Sequence, residues 1–188
     1  SESMVYCTSL RKIDAILGDD EKFIGRISEA AKRLKPEFIA LVGSPVPNII
    51  GFDFKGVARA ISSRTGIPAF GFATAGIKGS YKDGIVMAVK ELTDYYSGLK
   101  GDKKASVGKK LNILGVTPLD IPEENLEYLR SLFEERGYEL RLPPNKYGSP
   151  EQIKDIEDAA INLAFTQSGL ELASYYEKKL GMPYLCGI

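Results

Sequence analysis

The residues able to do chemistry in this chain are short polar side chains and glycines placed in loops, together with two widely separated thiols. Ser44 and Asn48 stand in Gly43-Ser44-Pro45-Val46-Pro47-Asn48, and Thr166 and Ser168 stand in Thr166-Gln167-Ser168-Gly169. Between them lies Thr74-Ala75-Gly76-Ile77-Lys78-Gly79-Ser80, directly ahead of a predicted helix. Gly76, Lys78, Gly79 and Ser80 suit a polar or anionic ligand, which backbone N–H groups and a helix's positive end can hold. The spacing matches neither the phosphate-loop pattern nor the dinucleotide glycine pattern. A loop that only turns the chain uses the same residues, and Ser, Thr, Asn and Asp at strand ends cap helices with no ligand at all.

The chain contains no histidine, which removes more mechanisms than any residue present supplies. No Ser-His-Asp or Cys-His pair and no histidine-containing zinc site can form within it. General acid–base work falls to Asp, Glu, Lys, Tyr or Cys. Cys7 and Cys186 lie at opposite ends and form neither a CxxC motif nor a disulfide framework. With 25 basic and 25 acidic side chains interspersed, there is no electrostatic footprint for nucleic acid. No apolar run reaches the length of a membrane span and no leader pattern opens the chain, so a cytoplasmic location is expected.

The elements that must position these loops follow from periodicity. Phe23, Ile24, Ile27, Ala30, Ala31 and Leu34 recur at helical spacing behind Asp19 and Asp20, and Pro36 ends the run. Phe38-Ile39-Ala40-Leu41-Val42 is a short continuous apolar run of the kind buried on both faces of a parallel sheet. The prolines of 43–48 predict an irregular turn. A helix over Phe54, Val57, Ala58 and Ile61 ends at Gly66, and a strand follows through Phe72, completing a β-α-β unit. A helix from about Lys82 closes the first half. Residues 111–116 restart the same order: strand, the loop Thr117-Pro118-Leu119-Asp120, a proline-led helix, strands near 138–142 and 159–165, a last helix, and a strand after Gly181-Met182-Pro183. Gly66-Ile67-Pro68 and Gly181-Met182-Pro183 form a weak internal repeat. The expected architecture is α/β, with two Rossmann-like three-layer units and parallel sheets: a first domain over 1–98, a Gly- and Lys-rich linker over 99–110 and a second domain over 111–188. Ligands of such sheets bind beyond the C-terminal strand ends.

Read together, these stretches resemble the nitrogenase component 1 family. Ser44-Pro45-Val46-Pro47-Asn48-Ile49-Ile50-Gly51-Phe52-Asp53 is similar to the family's Thr-Cys-x-x-Glu-x-Ile-Gly-Asp-Asp motif. Gly66-Ile67-Pro68 and Thr74-Ala75-Gly76-Ile77-Lys78-Gly79-Ser80 are similar to its Gly-x-Pro-Val and Thr-Pro-Gly-Phe-x-Gly-Ser stretches, and 111–185 resembles its second α/β domain. The resemblance implies an oxidoreductase subunit, paired with a homologous subunit and receiving electrons from an ATP-dependent iron protein. It also implies an iron–sulfur or tetrapyrrole site at an interface. In that alignment the family's cluster cysteine falls on Pro45, its cofactor-anchoring cysteine falls near Phe165 or Thr166, and Cys7 lies near an N-terminal cluster cysteine. Two cysteines cannot hold a four-thiolate cluster alone, so any cluster would use ligands shared between subunits. A non-catalytic scaffold that has lost its ligands is the alternative. The family's third α/β domain has no counterpart after Ile188, so the chain reads as a fragment or truncated member.

Overall fold

The computed structural model describes residues 4–5, 20–49, 51–74, 79–99, 108–117, 119–141 and 150–187 of the 188-residue chain. The chain divides into two compact units, Ser1–Gly79 and Ser80–Ile188.

In the first unit, helix α1 (Asp20–Leu34) carries acids in its first turn and bases in its last, as the helix dipole favours. Strand β1 (Ile39–Val42) pairs in parallel with β2 (Ala69–Phe72). The crossover between them is helix α3 (Phe54–Thr65), capped by Asp53 accepting from the Gly56 N–H at 2.8 Å and ended by Gly66 in the left-handed region. Helices and strands bury Ile24, Leu41, Phe54, Val57, Ala58 and Ile61 together. The segment after β1 is not the irregular turn its prolines predict: Pro45–Ile49 forms a short helix, α2. Pro45 and Pro47 both fall in its first turn, where a missing N–H removes no intrahelical bond.

In the second unit, four parallel strands run in the order β4-β3-β5-β6, with β3 at Lys110–Leu114, β4 at Glu139–Arg141, β5 at Ile161–Ala164 and β6 at Tyr184–Cys186. Helix α4 (Tyr81–Leu99) leads into this unit, and α5 (Glu123–Glu134) joins β3 to β4. A short α6 (Pro150–Lys154) and a 3-10 turn at Ile156–Asp158 join β4 to β5, and α7 (Gln167–Leu180) joins β5 to β6. Leu111, Ile113, Leu140 and Leu163 face α5 through Leu126, while Leu114 and Ala164 face α7 and α4 through Leu172, Ala173, Tyr176, Val86 and Val89. Both sheet faces are thus covered, as a parallel sheet requires. Gly181 ends α7 in the left-handed region just ahead of β6, as Gly66 ends α3 ahead of β2, so the repeat read in the sequence is a repeated helix stop.

Helix α4 does not close the first half as its position in the sequence suggests. Its apolar face joins the core of the second unit, and its buried Thr93 accepts from the Tyr176 hydroxyl at 3.1 Å while donating to the Val89 carbonyl at 2.8 Å. Burial of the Tyr176 phenol pushes its pKa up to about 12. The division between units accordingly falls at 79/80 and not within 99–110.

The tightest approach in this unit is between Gly115, which follows β3, and Gly169, in the first turn of α7. A Cβ on Gly115 would lie 2.0 Å from the Gly169 nitrogen, and one on Gly169 would lie 2.3 Å from the Leu114 carbonyl oxygen. Gly115 also has φ +69°. Gly181 shares that conformation, at φ +67°, but has open space around it. Gly181→Ala should therefore cost about 1 kcal/mol, the backbone penalty alone, and Gly115→Ala about 3 kcal/mol, since overpacking adds to it. Urea unfolding of the two variants beside the parent chain checks the difference, and equal losses would show that the contact is not as close as described.

Candidate functional site

The order β4-β3-β5-β6 places a reversal between β3 and β5. The chain leaves β3 for β4 on one side, then returns to β5 on the other. In open parallel sheets the ends of two such strands diverge and ligands bind beyond them. Two segments form this edge, residues 115–117 and 119–120 after β3 and residues 165–169 after β5, with the first turn of α4 beside them.

The 165–169 segment holds two of the residues singled out from sequence, and its hydroxyls point inward. Thr166 donates to the Gly115 carbonyl at 2.9 Å and accepts from the Gly169 N–H at 3.0 Å, capping α7. Ser168, buried, also donates to the Gly115 carbonyl, at 3.0 Å, and lies 3.1 Å from the Thr166 hydroxyl. Ser80 has the same fate at α4. Its N–H and hydroxyl both donate to the Asp83 carboxylate, which holds the Asp83 pKa below the usual carboxylate range through the Ser80 backbone bond first. These three hydroxyls are occupied in fixing helix starts. Gly79 precedes the same start in the left-handed region, with φ +82°.

Ser44 is exposed at the end of β1 in the first unit, where the ladder is extended by Gly43 N–H to the Phe72 carbonyl (2.9 Å) and by the Thr74 hydroxyl to the Gly43 carbonyl (3.1 Å). Gly76, Lys78, Cys7 and the side chain of Asn48 lie outside the described residues.

The groups with free chemical capacity at the second unit's edge are ones the sequence motifs do not mark. Asp120 is the centre. Its Oδ2 accepts from the Thr117 N–H (3.1 Å) and hydroxyl (2.8 Å), and its Oδ1 accepts from Lys82 Nζ (2.7 Å). Because the Thr117 hydroxyl donates to Asp120, it accepts from the Leu119 N–H at 3.2 Å and from the Tyr81 hydroxyl at 3.3 Å. Burial pushes the Asp120 carboxyl up, but the bonds from Lys82 and Thr117 outweigh it and hold the pKa below the ordinary value. The same bond holds the Lys82 ammonium above its ordinary value. Lys82 Nζ, with donors to spare, lies 6.0 Å from the centroid of the Tyr81 ring, which is 47% exposed, and Leu119, the chain neighbour of Asp120, is 79% exposed. The signal available in the sequence was position: 117–120 directly follows the first strand of its unit, just as 43–48 and 166–169 follow theirs.

The donor set does not suit a resident iron–sulfur cluster. Among the described residues no three His, Cys, Asp or Glu side chains converge on a metal-sized site. Proline occupies position 45, Thr166 is committed to its cap, and Cys186 is an exposed thiol on β6.

The Lys82–Asp120 pair has a pH signature with a definite sign. Asp120, with its pKa lowered on folding, stabilises above the unfolded value of about 3.9 and loses that effect as pH falls through the folded value. Lys82, with its pKa raised, stabilises below about 10.4 and loses that effect as pH rises through the folded value. Melting temperatures of the parent and of Asp120→Asn should therefore differ most between roughly pH 4 and 10 and converge on either side. A gap that stays constant across that range would contradict the pairing.

Residues 1–187 match the family described as nitrogenase component 1 type oxidoreductase. The chain is 23% identical to the nitrogenase iron-molybdenum cofactor biosynthesis protein NifE of Bradyrhizobium diazoefficiens, over 97% of this chain and 33% of that protein. It is 26% identical to a light-independent protochlorophyllide reductase subunit of Angiopteris evecta, over 89% of this chain and 34% of that protein. The solved structure titled nitrogenase Cp1 at pH 5 superposes with a TM-score of 0.77 at 26% identity, over 97% of this chain and 36% of that one. The chain thus spans about a third of the length of these relatives. No described helix is long and apolar enough to cross a membrane. The parallel α/β architecture expected from the sequence is the one these structures share, and the chain belongs to the nitrogenase component 1 type oxidoreductase family.

Proposed function

We propose that the chain acts in the cytoplasm as a nitrogenase component 1-like oxidoreductase subunit. It works beside a homologous subunit, takes electrons from an ATP-dependent iron protein, and holds a metallocofactor or a tetrapyrrole-like ligand. The observation that carries the ligand reading is the edge of the second unit, where Lys82, anchored by Asp120, stands beside the half-exposed Tyr81 ring, with Leu119 exposed next to Asp120 in the chain. A ligand with an apolar body and a carboxylate suits that surface, because the body covers Leu119 and the Tyr81 ring while the carboxylate takes donors left on the ammonium. Thr117 and Asp120 position the lysine and do not touch the ligand.

With a single thiol among the described strand ends of this sheet, Cys186 at the end of β6, the ligand is held here by polar and apolar contacts and not by iron ligation. Pro45 and the capped Thr166 also favour a second reading, a scaffold module that keeps the fold and binds a cofactor without turning it over.

Three measurements test this. After anaerobic iron–sulfur reconstitution the purified chain is expected to retain less than stoichiometric iron, and a stoichiometric cluster spectrum would overturn the donor-set argument. A carboxylated tetrapyrrole, protochlorophyllide, is expected to bind, and Lys82→Met to weaken it about tenfold, the loss of one charge-assisted contact. Equal binding by parent and variant would move the site elsewhere, and no binding would sink the ligand reading. Turnover that needs this chain together with an iron protein separates the catalytic from the scaffold reading.

A further inference from the structure

The middle of the second sheet holds a polar pair that the edge does not use. Asn112 on β3 and Asn162 on β5 are register partners in the parallel ladder, 3% and 0% exposed, on the face that packs against the 3-10 turn and α7. Asn112 Nδ2 donates to the Ile156 carbonyl at 2.9 Å and to Asn162 Oδ1 at 2.9 Å. These two bonds use both of its protons and set both amide orientations. Turning Asn162 over would bring NH2 against NH2, and turning Asn112 over would bring its oxygen against the Ile156 carbonyl. In this orientation Asn162 Nδ2 has no hydrogen-bond partner.

The buried Ser28 hydroxyl also lacks a partner, but it belongs to a helix and can rotate onto a carbonyl one turn back. An amide pinned through its oxygen has no such freedom. Buried amides of this kind are satisfied by internal water, which takes two to four polar partners.

We infer that the core of the second unit binds one structural water at Asn162 Nδ2. The water accepts from that amide and donates back to the pair's remaining oxygen, Asn112 Oδ1, so that the two strands flanking the chain reversal are joined by a closed polar link. The link lies two residues before the last residue of each strand, beneath the edge that carries Thr117 and Asp120.

A crystal structure of the full chain that orders its solvent tests this directly. The expected result is one water about 2.9 Å from Asn162 Nδ2, absent in Asn162→Val. In solution, oxygen-17 relaxation dispersion should count one fewer long-lived water in Asn162→Val than in the parent. An Asn162 Nδ2 bonded to a protein oxygen, or equal water counts in the two chains, would overturn the inference. If the variant does not fold, the parent's solvent density at Nδ2 decides alone.

Discussion

Everything at the second unit's edge depends on two backbones touching where side chains would normally separate them. Gly115 and Gly169 approach so closely that neither tolerates a Cβ, which brings the end of β3 against the first turn of α7. The Gly115 carbonyl is then within reach of both the Thr166 and Ser168 hydroxyls, and the capped helix start, the left-handed turn and the strand end become one assembly. From that assembly the chain leaves toward Thr117, whose N–H and hydroxyl fix Asp120, which in turn fixes Lys82. A charge at the tip of the edge is held in place by a contact between two glycines behind it.

What is shared with the family is the extent of the match, residues 1–187, and the fold, which superposes on a solved relative with a TM-score of 0.77. Among the described residues the framework presents hydroxyls turned inward and an ion pair turned outward. It does not present a convergent set of metal ligands. A polar ligand contacted through Lys82 is consistent with that inventory, and iron held by thiolates of these segments is not.

Much of this was legible in the sequence, for identifiable reasons. The apolar runs at 111–116 and 159–165 become buried strands and the glycines before Ile67-Pro68 and Met182-Pro183 become stops, because both signals are local. The run at 38–42, in contrast, forms β1 with Leu41 buried but Ala40 and Val42 exposed, so this strand is not covered on both faces as expected. Other readings fail where the deciding contact is not local. Pro45 and Pro47 argue against helix unless both fall in a first turn, which they do. Helix α4 follows the first unit in sequence, yet Val86, Val89 and Thr93 match a surface formed by residues far along the chain, Tyr176 among them. Thr166, Ser168 and Ser80 have the composition of a binding loop, and only tertiary structure shows each hydroxyl facing its own helix start. Lys82 and Asp120 carry no motif, since their pairing is visible only once β3 and α4 are side by side.

The second unit's edge is pre-ordered by the Gly115–Gly169 assembly before any ligand arrives. Native-state hydrogen exchange of the Gly169 and Thr117 amides tests it most directly, because one donates to the Thr166 cap and the other to Asp120. Both are expected to exchange as slowly as the amides of β3 and β5, by the global unfolding route. Exchange at the rate of exposed loops, with β3 and β5 still protected, would mean that the edge is not built in advance and would contradict the account.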